Sequence, residues 1–301
     1  MSYIHVTDKI LYANKSTTYP ISRQEAYPIQ TIQLTLMASS IAVSIAILLY
    51  ASWRDYVCRE VSNKVWAIYA PIALGLTLPQ LLLFDQADLP WYALSFGVTA
   101  GIALLLFYAG GFGGADSKAL MCIALALPFA PLALFRPIIE TAISPQSQLI
   151  FPLTIFGNAV LFAAASGIYM ILRNIIWHKK TKTAMFTGSL ASESVGKKFV
   201  VLITGYKMNV NRLKEKWHIF PMEDIDDRYV DLNRKLVVVP KEDGRDKIVE
   251  RLSNAVDAGK IDRYVWATPG LPMLIFVTLG LIVAVFFGDA VWLLVRSVLG
   301  A

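Results

Sequence analysis

Two aspartates, Asp55 and Asp116, are the residues of this 301-residue chain whose positions most directly indicate chemistry. Asp55 follows one apolar block, and Asp116 follows a run of four glycines in five positions, 110–114. The two aspartates are 61 positions apart, which leaves room for two membrane-crossing helices, so the chain goes out and returns to one face. Two carboxyl groups at one depth can share a proton, so that one acts as a base and the other as an acid. Such a pair can activate water for attack on a peptide carbonyl.

Other interpretations of these residues remain open on the sequence alone. Both aspartates can be ordinary interfacial charges, with Asp55 paired to Arg54 or Arg59. The glycines can serve helix packing, or they can expose backbone on which an extended peptide pairs as an added strand. Ionisable residues near a membrane also suit a small transporter that carries cations or protons. A third possibility is a non-catalytic membrane anchor that presents a soluble domain.

The composition indicates a membrane protein. Hydrophobic residues make up 56% of the chain, charged residues only 17%, and the mean hydropathy is +0.53. These values exclude intrinsic disorder. The net charge of +6 does not require nucleic acid, because the basic residues lie beside apolar blocks, as the positive-inside rule describes. We therefore expect the lipid bilayer as a partner and no nucleic acid.

Six apolar blocks have about the length that a membrane-spanning helix needs. They are Gln33–Trp53, Val65–Phe84, Trp91–Tyr108, Lys118–Phe135 (bent at Pro128 and Pro131), Leu149–Trp177 and Pro272–Val295. The predicted fold is an α-helical polytopic membrane protein with six transmembrane helices. A small α+β cytoplasmic domain is inserted between helices 5 and 6.

The domain boundaries follow from the same pattern. We predict a polar tail outside the cell over 1–30, helices 1–5 within 31–178, a soluble domain over 179–266, and helix 6 with the C-terminus over 267–301. The basic loops between blocks one and two and after block five are expected to be cytoplasmic. Within the soluble segment, Lys198–Gly205 and Lys235–Pro240 are predicted strands, and Lys247–Ala258 is a predicted helix.

Signatures of other hydrolases are not found in the sequence. The three histidines, His5, His178 and His218, form no HExxH pattern, and no Gly-x-Ser-x-Gly motif occurs. The two cysteines, Cys58 and Cys122, cannot build a four-thiolate zinc site. We expect no metal and no cofactor.

Residues 113–118 (Gly-Gly-Ala-Asp-Ser-Lys) resemble the G-x-hydrophobic-D motif of archaeal preflagellin and prepilin peptidases, relatives of the bacterial type IV prepilin peptidases. Residues 55–63 resemble the first-aspartate segment of that family, and residues 266–272 resemble the proline-containing entry to its last helix. The resemblance covers roughly residues 35–295. It implies a membrane aspartic endopeptidase of the GxGD type in the cell membrane.

The resemblance also implies a substrate and a set of site residues. Such enzymes remove a short basic class III signal peptide from archaellin or pilin precursors on the cytoplasmic side, and Asp55 and Asp116 would be the catalytic pair. Because the chain lacks paired CxxC motifs, we predict cleavage without methylation. The expected supporting or substrate-binding residues are Gly113, Gly114, Ala115, Lys118, Arg59 and Asn63.

Overall fold

A computed structural model describes residues 23–226, 233–238, 244–270 and 272–300. Its first part is a set of helices: α1 (Arg23–Cys58), α2 (Asn63–Phe84), α3 (Leu89–Tyr108), α4 (Gly114–Ala126), the short α5 (Pro145–Leu149) and α6 (Phe151–Thr181). Two further helices follow near the end of the chain, α10 (Met273–Phe286) and α11 (Ala290–Leu299). The predicted tail over 1–30 lies mostly outside the described residues, and α1 already includes Arg23.

Hydroxyl groups join these apolar helices across their buried faces. The Tyr69 hydroxyl of α2 donates to Ser44 Oγ of α1 at 2.7 Å. Ser52 Oγ of α1 donates to the Leu274 carbonyl of α10 at 2.9 Å, and Thr77 Oγ1 of α2 donates to the Ala126 carbonyl at 3.0 Å. Polar side chains in an apolar environment need such partners, and these hydrogen bonds hold α1, α2, α4 and α10 in register.

Four helices in the described part of the chain are long and apolar enough to cross a membrane, or five when α10 and α11 count as one bent span. The four are Gln30–Cys58, Asn63–Phe84, Gln86–Tyr108 and Phe151–Thr181. Blocks one, two, three and five of the sequence prediction therefore correspond to α1, α2, α3 and α6. The prediction of six spanning helices is not confirmed, because blocks four and six differ.

Block four does not form a spanning helix through Pro128. Helix α4 has 13 residues, or about 20 Å, and it ends at Ala126. A proline disfavours the helical conformation at the residue before it, and Leu127 leaves the helix with φ −137°. The Pro128 carbonyl instead accepts hydrogen bonds from Ser95 Oγ and the Phe151 N–H, both at 3.0 Å.

Block six is broken rather than continuous. Helices α10 and α11 meet at an angle of 69°. Gly288 between them has φ +93°, a conformation that glycine adopts without strain, and Asp289 caps α11 by accepting the Trp292 N–H at 2.9 Å. The Asn158 side chain of α6 bonds both the Gly288 carbonyl and the Ala290 N–H, which fixes the bend.

The elements between α6 and α10 form a small sheet-containing domain. Its helices are α7 (Val195–Thr204), α8 (Val210–Glu215) and α9 (Arg245–Asp257). Its strands are β1 (Tyr206–Asn209), β2 (Phe220–Pro221), β3 (Glu223–Asp226), β4 (Asn233–Leu236) and β5 (Tyr264–Thr268). The strands form two antiparallel sheets, one in the order β1-β5-β2 and one of β3 with β4. A buried ion pair between Arg234 and Glu223, at 2.7 Å, joins the second sheet internally.

The helix predicted over Lys247–Ala258 is confirmed as α9, and β4 overlaps the predicted strand Lys235–Pro240, part of which lies outside the described residues. The strand predicted over Lys198–Gly205 is wrong, because this segment belongs to α7. A continuous apolar run fits either structure by periodicity. Here Ser194 caps the helix by accepting the Lys197 N–H, and α7 packs on α6, where Asn174 donates to the Leu202 and Gly205 carbonyls.

Candidate active site

Asp55 lies on the last turn of α1, where the helix ends. Its carbonyl accepts the Arg59 N–H at 3.0 Å, and Arg59 has φ +55°, so the chain turns out of the helix at this residue. The side chain of Asp55 is half-buried, and the positive charge of Arg59 acts on its carboxylate. The end of α1 therefore holds one carboxyl group beside a cation.

The glycine run forms the turn between α3 and α4. Gly110 has φ +75°, and the Leu106 carbonyl accepts the N–H groups of Gly111 at 2.9 Å and Phe112 at 3.1 Å. This is a helix ending that glycine permits, because a left-handed residue there carries no side-chain penalty. It reverses the chain and begins α4 directly at Gly114.

Asp116 occupies the first turn of α4. Its Oδ2 atom accepts the Gly113 N–H at 3.0 Å. A methyl group added to Gly113 would lie only 3.1 Å from the same oxygen, so the absence of a side chain gives the carboxyl group its place. The first turn of a helix also stabilises negative charge through its free N–H groups. Local backbone structure thus fixes the Asp116 carboxyl group.

The structure brings Asp55 and Asp116 together. Their carboxyl groups are close enough for the charge of Asp55 to act on Asp116. Two helices, α2 and α3, lie between them in the chain, and both carboxyl groups are at the same end of the helical bundle. Because a nearby negative charge disfavours ionisation of a second carboxyl group, such a pair favours a state in which only one of the two is ionised.

The predicted supporting residues lie around this pair in different roles. Lys118 Nζ donates to Asn63 Oδ1 at 2.7 Å, so this lysine joins α4 to the start of α2. Ala115 packs against the buried core of the helical bundle. The Arg59 Nε atom is buried without a hydrogen-bond partner in the described part of the chain.

Two further residues beside the site were not selected from the sequence. Ser117, next to Asp116, donates its hydroxyl to the Ala103 carbonyl of α3 at 3.1 Å and thereby fixes α4 against α3. His218, which follows α8 in the soluble domain, is within range of the Arg59 charge. Ser117 could have been selected from the sequence, because it directly follows Asp116. Nothing in the sequence predicts that His218 lies near Arg59.

Comparison with known proteins identifies the family. Residues 42–172 match the type IV leader peptidase family, peptidase A24, and residues 197–290 match the archaeal peptidase A24 C-terminus, type II. The first match contains both aspartates, and the second contains most of the soluble domain. The chain belongs to the peptidase A24 family. This confirms the resemblance to archaeal preflagellin and prepilin peptidases that residues 55–63 and 113–118 predict.

Three relatives that align with most of this chain share the name preflagellin peptidase. A preflagellin peptidase of Methanococcus voltae is 27% identical over 83% of this chain and 95% of its own length. Preflagellin peptidases of Methanococcus maripaludis (strain C6) and Methanocaldococcus jannaschii are 23% and 24% identical, over 81% and 84% of this chain and 93% and 95% of their own lengths. The similarity therefore includes the membrane helices and the soluble domain together.

Proposed function

We propose that this chain is an aspartic endopeptidase that removes the signal peptide of preflagellin (archaellin) or type IV pilin-like precursors. Its membership of a peptidase family and its similarity to preflagellin peptidases support the reaction class and the substrate. The observation that carries the mechanism is that Asp55 and Asp116 lie at one end of the bundle, near enough for the charge of Asp55 to act on Asp116. We expect both residues to be catalytic.

In the proposed mechanism, the two carboxyl groups hold one proton and one water molecule between them. The ionised carboxylate takes a proton from the water as its oxygen attacks the scissile carbonyl. The protonated carboxyl group then gives its proton to the leaving nitrogen as the peptide bond breaks. The Gly113 N–H holds the Asp116 carboxyl group in position through both steps.

The glycine turn supplies a place for the substrate. Gly111 and Gly113 are exposed, and their backbone is not covered by side chains of their own. The N–H groups of both glycines are already bonded, to the Leu106 carbonyl and to Asp116, so this backbone serves as an open surface and not as a strand edge. A precursor can approach the carboxyl groups closely over it, because no side chain projects from these positions. Gly114 and Ala115 continue this surface into α4.

We place the site on the cytoplasmic side of the membrane. Arg54, Arg59, Lys64 and Lys118 lie at the same end of the helices as Asp55 and Asp116, and His178, Lys179 and Lys180 form the last turn of α6. Loops rich in lysine and arginine stay in the cytoplasm. The basic leader of a precursor stays on that side for the same reason.

The comparisons give no support to the transporter hypothesis. The three relatives described above are named as peptidases, and both matching families are peptidase families. The non-catalytic anchor hypothesis gains no support from them either.

A cleavage assay tests the proposal. Membranes that contain the protein are incubated with a preflagellin precursor, and loss of the signal peptide is followed by gel mobility. Asp55→Asn and Asp116→Asn should each lower the cleavage rate by at least about a hundredfold, because each removes one half of the acid–base pair. Both variants keep the size of the side chain, so expression should not change.

Asp88→Asn is the matched control. Asp88 is an exposed carboxylate between α2 and α3, at the opposite end of those helices from Asp55. This variant should cleave at the wild-type rate. Full cleavage by either Asp55→Asn or Asp116→Asn would contradict the paired-carboxyl mechanism, and equal losses in all three variants would show a general effect of charge.

A further inference from the structure

A cavity of about 460 Å³ lies between the end of α6 and the soluble domain. Four cationic side chains line it: Arg173 of α6, Lys207 of β1, Arg212 of α8 and Lys216, which follows α8. None of the four belongs to an ion pair with a carboxylate within 4 Å among the described residues. The cavity therefore concentrates positive charge, and no carboxylate in the described part of the chain pairs directly with it.

Aromatic rings hold the cationic groups in place. The Arg173 guanidinium lies 3.8 Å from the centre of the Tyr206 ring, a cation–π contact that orients it. Lys207 donates to the Tyr264 carbonyl at 3.3 Å, and Trp177 of α6 packs edge-on against the Tyr264 ring. These contacts define the wall of the cavity around Arg173 and Lys207, whereas Arg212 and Lys216 have exposed side chains.

Lys207 is the most enclosed of the four cations. Burial lowers its pKa, and so does the nearby charge of Arg234. The carboxylates of Glu223 and Asp262 act in the opposite direction. An anion bound beside the ammonium group would stabilise its charged form further.

The position of the cavity along α6 matches the surface of a membrane. Residues 151–172 of α6 carry no charged side chain, and a helix of that length is about 33 Å long, close to the thickness of the hydrocarbon core. Arg173 is the next residue, at the end of this apolar stretch, and the sheet-containing domain packs on the preceding turns of α6 at Gly167 and Met170. Trp177, one turn further, has the interfacial location that tryptophan prefers.

We propose that this cavity binds the phosphate group of an anionic membrane lipid. Arginine presents several donors in a planar fork that fits phosphate oxygens, and basic pockets beside membrane helices suit such headgroups. The basic leader of a precursor would be repelled by the same four cations. The proposal is independent of the peptidase mechanism, since neither Asp55 nor Asp116 lines the cavity.

The test uses the full-length protein in an uncharged detergent, titrated with phosphatidylglycerol or with phosphatidylcholine, and counts bound lipid by native mass spectrometry. Saturable binding of phosphatidylglycerol is expected, with weaker binding of phosphatidylcholine. The double variant Arg212→Gln/Lys216→Gln should weaken the binding of phosphatidylglycerol about tenfold or more, because each basic residue near the surface contributes to attraction. Both side chains are exposed, so the domain should still fold.

The double variant Lys214→Gln/Lys247→Gln is the matched control. It removes the same charge from exposed positions that do not line the cavity, and it should bind as the wild type does. Equal weakening by both double variants, or no saturable binding, would overturn the proposal. Melting temperatures of the variants check that both remain folded.

A competition arm separates a lipid from a free phosphate. Retention of phosphatidylglycerol in millimolar inorganic phosphate supports the lipid headgroup, because the acyl chains add binding that phosphate lacks. If millimolar phosphate displaces phosphatidylglycerol, the cavity binds a soluble phosphate compound instead, and the proposal of a lipid ligand is wrong.

Discussion

At the scale of single residues, Gly113 sets the position of the Asp116 carboxyl group. The glycine N–H donates to Oδ2, and its lack of a side chain leaves the space that this oxygen requires. Asp116 itself is tied to α4, which Ser117 fixes against α3. One backbone group and one hydroxyl therefore determine where the proposed acid–base group lies relative to Asp55.

We predict that Gly113→Ala lowers the turnover rate about tenfold or more with little change in KM. The added methyl group would lie 3.1 Å from Asp116 Oδ2, so the carboxyl group must shift, and small displacements of reacting groups are costly. Steady-state kinetics on a preflagellin precursor measure this. Gly101→Ala in α3 is the control, because its methyl group would meet no atom within 4 Å. If Gly101→Ala loses turnover as well, the loss in Gly113→Ala reflects a general effect of adding a methyl group to the helical bundle and not a shift of the Asp116 carboxyl group.

At the scale of elements, the close contact between α6 and α10 holds the bundle together. Gly280 of α10 lies against the backbone of Ile155 and Ala159 in α6, and no other residue type would permit this distance. Small residues allow helices in a membrane to pack backbone to backbone. This contact fixes α10 and, through Ser52 of α1, the helix that carries Asp55.

Gly280→Ala should therefore destabilise the protein by about 2 kcal/mol or more, because its methyl group would clash with the Ile155 carbonyl, which is backbone and cannot rotate away. Thermal unfolding in detergent measures the loss. Gly75→Ala in α2 adds a methyl group where no atom lies within 4 Å, and it should be neutral or slightly stabilising. Equal melting temperatures of the two variants would contradict the packing described here.

The elements that the sequence predicts best are those set by local pattern. The bounds of α2 and α3 lie within two residues of the predicted blocks, and α9 follows its amphipathic spacing. The segment 198–205 was mispredicted because its apolar run has no period, and its contact with α6 decides the outcome. Pro128 is visible in the sequence and predicts a bend, but the partners of its carbonyl, Ser95 and the Phe151 N–H, are distant in the chain, so the sequence does not indicate that α4 ends at Ala126.

The meeting of Asp55 and Asp116 is predictable even though the count of spanning helices is not. Their placement depends only on the two helices between them, α2 and α3, and both predictions were correct. The hydrogen bond from Lys118 to Asn63 joins two predicted site residues, but the sequence does not indicate that they bond each other. The proximity of His218 to Arg59 depends on how the soluble domain folds back, so the sequence could not indicate it.

At the scale of the whole molecule, the sheet-containing domain packs on the later turns of α6 and also approaches the end of α1. Asn174 of α6 bonds two carbonyls at the end of α7, and His218 lies near Arg59 at the end of α1. The second contact joins the domain to the turn that follows Asp55. Partial burial and the positive charges of Arg59, Lys216 and Arg245 lower the pKa of His218.

Acid should loosen this second contact. Because the pKa of His218 is lower in the folded protein than its ordinary value of about 6.5, an undocked domain binds the proton more readily, and stability falls as the pH drops through that range. Protection factors for hydrogen exchange at residues 56–62 and 216–222, which divide out the intrinsic exchange rate at each pH, should fall as the pH is lowered in the wild type. This fall should be smaller in His218→Gln. The change should persist in the control His178→Gln. An identical response in His218→Gln would refute the assignment.

Helix α6 runs without interruption from Phe151 to Thr181, about 46 Å, and the soluble domain is fastened to its last turns. In a bilayer thinner than its apolar stretch, such a helix tilts. Because α6 is continuous, tilting its membrane-spanning part also displaces its C-terminal turns, and the domain attached to them moves sideways relative to the ends of the other helices. The thickness of the bilayer would thus change the distance between His218 and Arg59.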